Sequence, residues 1–216
     1  MAYITDSWEV INKNCSDGKA GELYALGDRV PITLTWADGR TEENELELVA
    51  IDQDDLADGS GKATLTFITH HLLEQTYRMN GSNSNNGGWS GQYSLRSWCN
   101  GELYNALPSD LQKVIKTVKK LSDSGYESKE LVETHDIVWI PSISEVGGDG
   151  DTRVTSLPNQ GSQYPQTTTQ TAEELPWPSK YTNAATNNTR RYWWSRSTDI
   201  TTTDHWGMFG MRGGFS

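Results

Sequence analysis

Two adjacent tryptophans restrict this chain more than any other feature. They lie in Arg191-Tyr192-Trp193-Trp194-Ser195-Arg196-Ser197. Along a strand, successive side chains point to opposite sides. Tyr192, Trp194 and Arg196 then share one face, and Arg191, Trp193, Ser195 and Ser197 share the other. Rings that large on both faces call for cover on both faces. Two readings follow. Either this is a two-sided core strand, or one Trp or Arg196 lines a ligand surface.

The length of 216 residues suits one domain of ordinary to large size, or two small ones. Hydrophobic residues make up 34%, which is low, and nine tryptophans and nine tyrosines compensate by the area each ring can bury. A compact core beneath long polar loops is expected. A net charge of −11 argues against nucleic acid and anionic membrane surfaces as partners. No apolar run approaches a membrane span, so no membrane insertion is expected. The start MAYITDSWEV lacks the basic and apolar regions of a signal peptide, which points to synthesis and folding in a cytoplasm. Cys15 and Cys99 lie in apolar-patterned segments and read as two buried thiols rather than a disulfide.

Periodicity predicts a helix over 5 to 14, with Asp6 or Ser7 as its cap. A strand through Val30, Ile32 and Leu34 follows, then a turn at Asp38-Gly39. The next strand places Leu46, Leu48 and Ala50 on one face and Val49 and Ile51 on the other. An acidic loop spans 52 to 61, and Leu65 and Phe67 mark a third strand. Leu72, Leu73, Thr76 and Tyr77 predict a helix over 70 to 79. A polar loop follows, with Trp89 its only bulky residue. Leu95, Trp98, Cys99, Leu103 and Ala106 give the clearest helix, stopped by Pro108, with a short successor over Leu111, Val114 and Ile115. Further strands are expected at 117 to 121 and 135 to 140. Residues 152 to 189 show no period at all. Helices and strands are mixed without regular alternation, so the expected class is α+β with antiparallel strands, in one domain over 1 to 216.

Few residues suggest catalysis. His70, His71, His135 and His205 have no zinc-ligand spacing. There is no Gly-x-Ser-x-Gly elbow and no phosphate-binding loop. Cys99 has an apolar helical setting, poor for a nucleophile. Asp52-x-Asp54-Asp55…Asp58-Gly59 and Glu145…Asp149-x-Asp151 crowd carboxylates, but neither matches a twelve-residue calcium loop. They are solvated acidic turns or weak calcium sites, and no other cofactor is expected. The remaining signal is aromatic. Trp89, Trp177, Tyr181 and Trp206 stand among Asn, Ser, Thr and Gln. That mixture builds binding surfaces, with rings that stack on sugars and amides that bond hydroxyls; the same rings could instead pin loops to the core. With Trp194, Arg196 and His205 they form the candidate ligand-binding set.

Several motifs occur together. They are Trp8-Glu9 in the first helix, Gly27-Asp28, the Asp52-x-Asp54-Asp55 loop and Met79-Asn80. Arg96-x-Trp98-x-Asn100…Leu107-Pro108 and Trp193-Trp194-x-Arg196-Ser197 complete the set. Over about residues 7 to 212 the chain resembles a bacterial and phage domain of unknown function with a Trp-Trp-Leu-Arg-Ser-type motif, found in phage tail or virion proteins and in bacterial surface proteins. The resemblance implies a C-type-lectin-like fold, related to the formylglycine-generating-enzyme type. Such a fold has a central antiparallel sheet with flanking helices under long irregular loops. It implies a non-catalytic binding module of a phage virion, in a tail or surface fibre, contacting host glycan or protein. The alternatives are a structural virion component that docks on neighbouring subunits, or a bacterial surface ligand-binding domain. A homo-oligomer is expected. Two departures stand out. Ser195 replaces the usual Leu, and the chain ends at Phe215-Ser216 where a closing strand is expected, either missing or supplied by another chain. The cysteine chemistry of the formylglycine-generating enzymes is not carried over, because no matching pair lies near the C-terminus.

Overall fold

The computed structural model describes residues 2–91, 94–147, 155–168, 182–183, 189–190 and 193–209. Helix α1 (Trp8–Ser16) starts where Ser7 Oγ accepts the N–H of Val10 at 3.3 Å, and it buries Trp8 and Ile11. A short α2 (Ala20–Leu23) follows. Strands β1 (Arg29–Thr35), β2 (Thr41–Ile51) and β3 (Leu65–Thr69) form an antiparallel sheet in that order. Val30, Ile32 and Leu34 are buried, as their alternation predicts. The turn between β1 and β2 contains Gly39 at φ 85°, a conformation that glycine adopts without strain.

A register shift between Leu48 and Ala50 changes the expected faces of β2. Leu46 and Leu48 point to the main core. Val49 and Ala50 both turn into a smaller cluster with Ile143, Val146 and Tyr164. A bulge of this kind re-aims side chains locally.

The predicted helix over 70 to 79 is absent. His70 N–H bonds Glu45 O at 2.7 Å. Asn44 donates to His71 O at 3.1 Å and accepts from His71 N–H at 3.2 Å, and Glu42 accepts from Glu74 N–H at 2.9 Å. These side chains of β2 satisfy backbone groups that a helix would have paired internally.

The Leu95–Ala106 pattern does form a rod. It comprises α3 (Ser94–Trp98), one turn of π-helix (Cys99–Leu103) and α4 (Tyr104–Ala106), with α5 (Ser109–Gln112) beyond Pro108. Strands β4 (Val118–Asp123) and β5 (Leu131–Asp136) make an antiparallel pair. The strand expected at 135 to 140 thus ends at its second residue. Beyond it, Asn100 Oδ1 accepts from Ile137 and Val138 N–H at 2.8 and 3.3 Å, while Nδ2 donates to Val138 O at 3.0 Å. One amide does the work of a neighbouring strand. Then come α6 (Ile143–Gly147), α7 (Pro165–Thr168), the short pair β6 (Thr182–Asn183) and β7 (Thr189–Arg190), and the pair β8 (Trp193–Thr198) and β9 (Trp206–Phe209).

The class is mixed α and β with antiparallel sheets. The single central sheet is not found among the described residues: there is one three-stranded sheet and three two-stranded ones. The main core joins the first sheet to α1 and the rod. Its rings include Trp8 edge-on to Phe67 at 5.7 Å. Cys99 is buried and Cys15 only half-buried, and both are free thiols. No helix among the described residues is long and apolar enough to cross a membrane.

Gly88 tests the packing. Its φ is +53°, and a Cβ there would lie 2.0 Å from Asp123 O. Gly88→Ala should cost about 4 kcal/mol or more. Gly21→Ala, with no atom within 4 Å of the added carbon, should change stability by less than about 1 kcal/mol. Urea unfolding of the two variants measures the contrast.

Candidate functional site

The Trp-Trp strand is anchored by charge. Arg196 is fully buried on β8. It grips both oxygens of Glu145 from α6, Nη2 to Oε1 at 2.9 Å. The guanidinium also donates to Ser122 Oγ at 3.2 Å and to the carbonyls of Ile140, Leu121 and Gln160. Glu145 Oε1 in turn accepts from Lys120 Nζ at 3.0 Å, and Lys120 reaches Asp54 and the Tyr164 hydroxyl. The ammonium sits 4.2 Å above the Trp139 ring. Burial pushes Glu145 up, but Arg196 and Lys120 outweigh it and hold the carboxyl down to about 2. Every donor of the guanidinium thus finds an acceptor. This is a structural brace that joins β4, β8, α6 and the loop over 155–164.

Above the brace, the loops over 80–91, 124–130 and 199–205 meet at Asn85. Its side chain is wholly buried. Nδ2 donates to the carbonyls of Asp199, Thr202 and His205, each at 2.9 Å, and Oδ1 accepts from Tyr126 N–H at 3.2 Å. Its own N–H bonds Thr203 O at 2.8 Å. Ile200 accepts from Glu127 N–H and ties in a further segment by donating to Thr155 O, both at 2.8 Å. Two tryptophans hold this layer from below. Trp89 Nε1 donates to Asp136 at 3.0 Å, and Trp206 Nε1 to Ser84 O at 3.5 Å. The outcome is a rigid polar platform. Tyr126, 45% exposed, and His205, with a side chain 67% exposed, stand on loops tied to one amide. Asn83, Asn86, Thr201 and Thr203 are exposed around them. Glu127, next to Tyr126, has φ +57°, a strained value for a non-glycine residue.

The expected ligand-binding set is therefore corrected in part. Trp89 and Trp206 are buried, at 1% and 7% exposure, and serve as pins rather than displayed rings. Trp194 is half-buried against the main core and donates to Tyr77 O at 3.1 Å. Arg196 belongs to the internal brace, so among the described residues β8 is the two-sided core strand. His205 is exposed on the platform. Trp177 and Tyr181 lie outside the described residues. Tyr126 was not singled out from the sequence. A signal existed, since it follows Ser124-Gly125 at the tip of the hairpin between β4 and β5. The capping box of α6 also went unread. Ser142-Ile143-Ser144-Glu145 has Ser142 Oγ on Glu145 N–H at 3.1 Å and Glu145 Oε2 on Ser142 N–H at 3.0 Å.

A family profile matches residues 64–211, more than half of the chain. The chain belongs to DUF6273, a family of domains of unknown function. The DUF6273 segment holds the platform and all of the brace except Asp54, whereas α1, α2, β1 and β2 precede it. No curated protein and no solved structure matches the chain significantly.

The acidic clusters do not converge on open sites among the described residues. Asp54 faces Lys120 and Thr66, Asp55 pairs with Lys62 at 2.9 Å, and Asp58 caps Ser60. Glu145 is in the brace, and Asp149 and Asp151 lie outside the described residues. No spacing along the chain supplies the histidines with a third ligand. The fold brings Glu45 beside His70 and His71, with one possible ligand atom from each within 4.8 Å of the others. These three could hold a metal ion. Here Glu45 instead accepts from Tyr3 at 2.7 Å and from Arg29 at 3.2 Å.

Arg196→Met should cost about 3–5 kcal/mol, because Glu145 loses its buried partner. The double variant E145Q/R196M should recover part of that loss in the same denaturation series. Asp123 supplies a pH test. Burial raises its carboxyl from 3.8 to about 6, against hydrogen bonds from Thr198 and Gln160. A group that protonates more readily when folded makes the fold less stable as pH rises between those two values. Asp123→Asn should remove that slope from melting temperature against pH. Glu145 acts the other way, and its contribution should fade as pH falls from 4.5 toward about 2.

Proposed function

We propose that this chain is a non-catalytic binding module of a phage particle, in a tail or surface fibre, whose Asn85 platform meets the host surface and takes glycan. One observation carries the reading. Tyr126 and His205 are displayed on loops locked by a single buried amide. Locked loops lose little entropy on binding, and a tyrosine ring offers a rigid apolar face beside a hydroxyl. In this reading the ring covers the apolar side of a sugar, and Asn83, Asn86, Thr201 and Thr203 bond its hydroxyls. The net charge of −11 suits a soluble particle surface. The buried Cys99 thiol, pushed up to about 12 by desolvation, supports binding over thiol chemistry. A C-type-lectin-like arrangement is the finer architectural part of the proposal, and the antiparallel pairs beneath irregular loops support it.

The test is binding of purified protein to host cells and to immobilised host-surface glycans. Tyr126→Ala combined with His205→Ala should weaken binding about tenfold or more, at unchanged melting temperature. Equal binding by wild type and the double variant would sink the platform reading. Absence of the protein from purified particles would sink the virion assignment separately.

A further inference from the structure

Adjacent histidines make no metal site by spacing alone, because neighbouring side chains on a strand point apart. Here the strand ends first. β3 stops at Thr69 and the chain bends at His70 and His71, so the two rings meet edge to face with centroids 4.7 Å apart. The antiparallel partner supplies a third donor. Leu46 pairs with Thr69, and His70 N–H reaches Glu45 O at 2.7 Å, which puts Glu45 opposite His70. One donor atom from each of Glu45, His70 and His71 lies within 4.8 Å of the others. An ion can reach them, since the side chains of Glu45 and His70 are 21% and 20% exposed. The surroundings also hold the donors in place. Glu47 is buried; its Oε2 holds His70 Nδ1 at 2.7 Å, and its Oε1 accepts from Gln166 at 3.1 Å. The Asn44 side chain bonds both the N–H and the carbonyl of His71. A carboxylate on one imidazole nitrogen directs the other nitrogen to a metal, and such outer carboxylates are a regular part of histidine metal sites.

We propose that Glu45, His70 and His71 bind one divalent transition-metal ion of the zinc type, with Glu47 as the outer carboxylate that orients His70. Two imidazoles and one carboxylate disfavour calcium and magnesium, which take oxygen donors, and suit zinc, which takes nitrogen and oxygen alike. Tetrahedral zinc places its donors roughly 3.3 Å apart, so rotation of the three half-buried side chains closes the site. Charge decides what gives way. Glu45 accepts from Arg29 Nη1 at 3.2 Å and from the Tyr3 hydroxyl at 2.7 Å. The ion displaces Arg29 from Glu45, and Arg29 keeps Glu47, whose Oε2 lies 3.6 Å from its Nε. Tyr3 can stay, because a carboxylate has acceptor sites to spare. Three protein ligands leave a fourth position for water. Glu45 precedes residue 64 and the histidines follow it, so the ion would join β2 to the DUF6273 segment. The site shares no residue with the Asn85 platform.

The probe is Zn²⁺ itself, added to chelator-treated protein. Isothermal titration should show one ion bound per chain, and Zn²⁺ should raise the melting temperature. Co²⁺ in its place should give the visible absorption of a four- or five-coordinate ion. His71→Gln and Glu45→Gln should each lower Zn²⁺ affinity about tenfold or more, with native circular dichroism as the check on folding. If one of the two fails to fold, the other decides. Glu47→Gln should weaken binding about tenfold through His70. Arg29→Gln should strengthen it, because the competing cation is gone. His135→Gln alters an exposed histidine paired with Glu133 at 2.9 Å, and should leave affinity unchanged. Failure of wild type to bind Zn²⁺ overturns the proposal. So does equal affinity in wild type and the folded His71→Gln and Glu45→Gln variants, the mark of an adventitious surface ion. Loss of binding in His135→Gln would overturn it as well, by placing the ion elsewhere.

Discussion

The fold depends on a guanidinium that has no access to water. Removing Arg196 from solvent is unfavourable by itself, and only a complete set of acceptors makes it tolerable. That requirement fixes several elements at once. Glu145 must arrive on α6, the carbonyls of Leu121 and Ile140 must face inward, and Gln160 must bring its loop across the top. Lys120 extends the same logic to Asp54, in the loop after β2. Apolar packing alone would allow these irregular segments many arrangements. A chain of buried charges in which each member completes another allows far fewer.

Ser195 and Gly207 show how tightly this region closes. A Cβ on Gly207 would come 2.9 Å from Ile143 Cδ1 and 3.3 Å from Ser195 Cβ. Strand β9 therefore approaches β8 closely because both positions are small. Ser195 is fully buried and its hydroxyl accepts from Ser197 N–H at 3.1 Å, which explains how a polar residue is accommodated on that face.

What was legible in the sequence was local. The alternation of Val30, Ile32 and Leu34 and the helical spacing of Leu95, Trp98, Cys99, Leu103 and Ala106 each declare one buried face, and both are buried as read. What was illegible came from side chains far along the chain that substitute for backbone partners. Asn44 and Glu42 draw 71 to 74 out of a helix, and Asn100 ends β5 early. The same distance effect governs the loop tryptophans. Trp89 and Trp206 look alike in composition to displayed rings. Their indole N–H groups meet Asp136 and Ser84 O, 47 and 122 residues away, and those partners turn the rings inward. The platform was half legible, since polar loops were expected above a tryptophan-braced base. Which ring faces outward depends on how Asn85 ties the loops together, and no local pattern encodes that.

The apolar space between the first sheet and the rod has walls from two sources. Trp8, Ile11, Leu34, Leu46 and Val49 come from the elements before residue 64, and Trp98, Leu103 and Leu111 from the DUF6273 segment. Protein interiors are normally close-packed, and an unfilled space forfeits the dispersion contacts of its lining. Because β1 and β2, which supply Leu34, Leu46 and Val49 to that wall, lie outside the matched segment, the same segment with different preceding elements would border a different space.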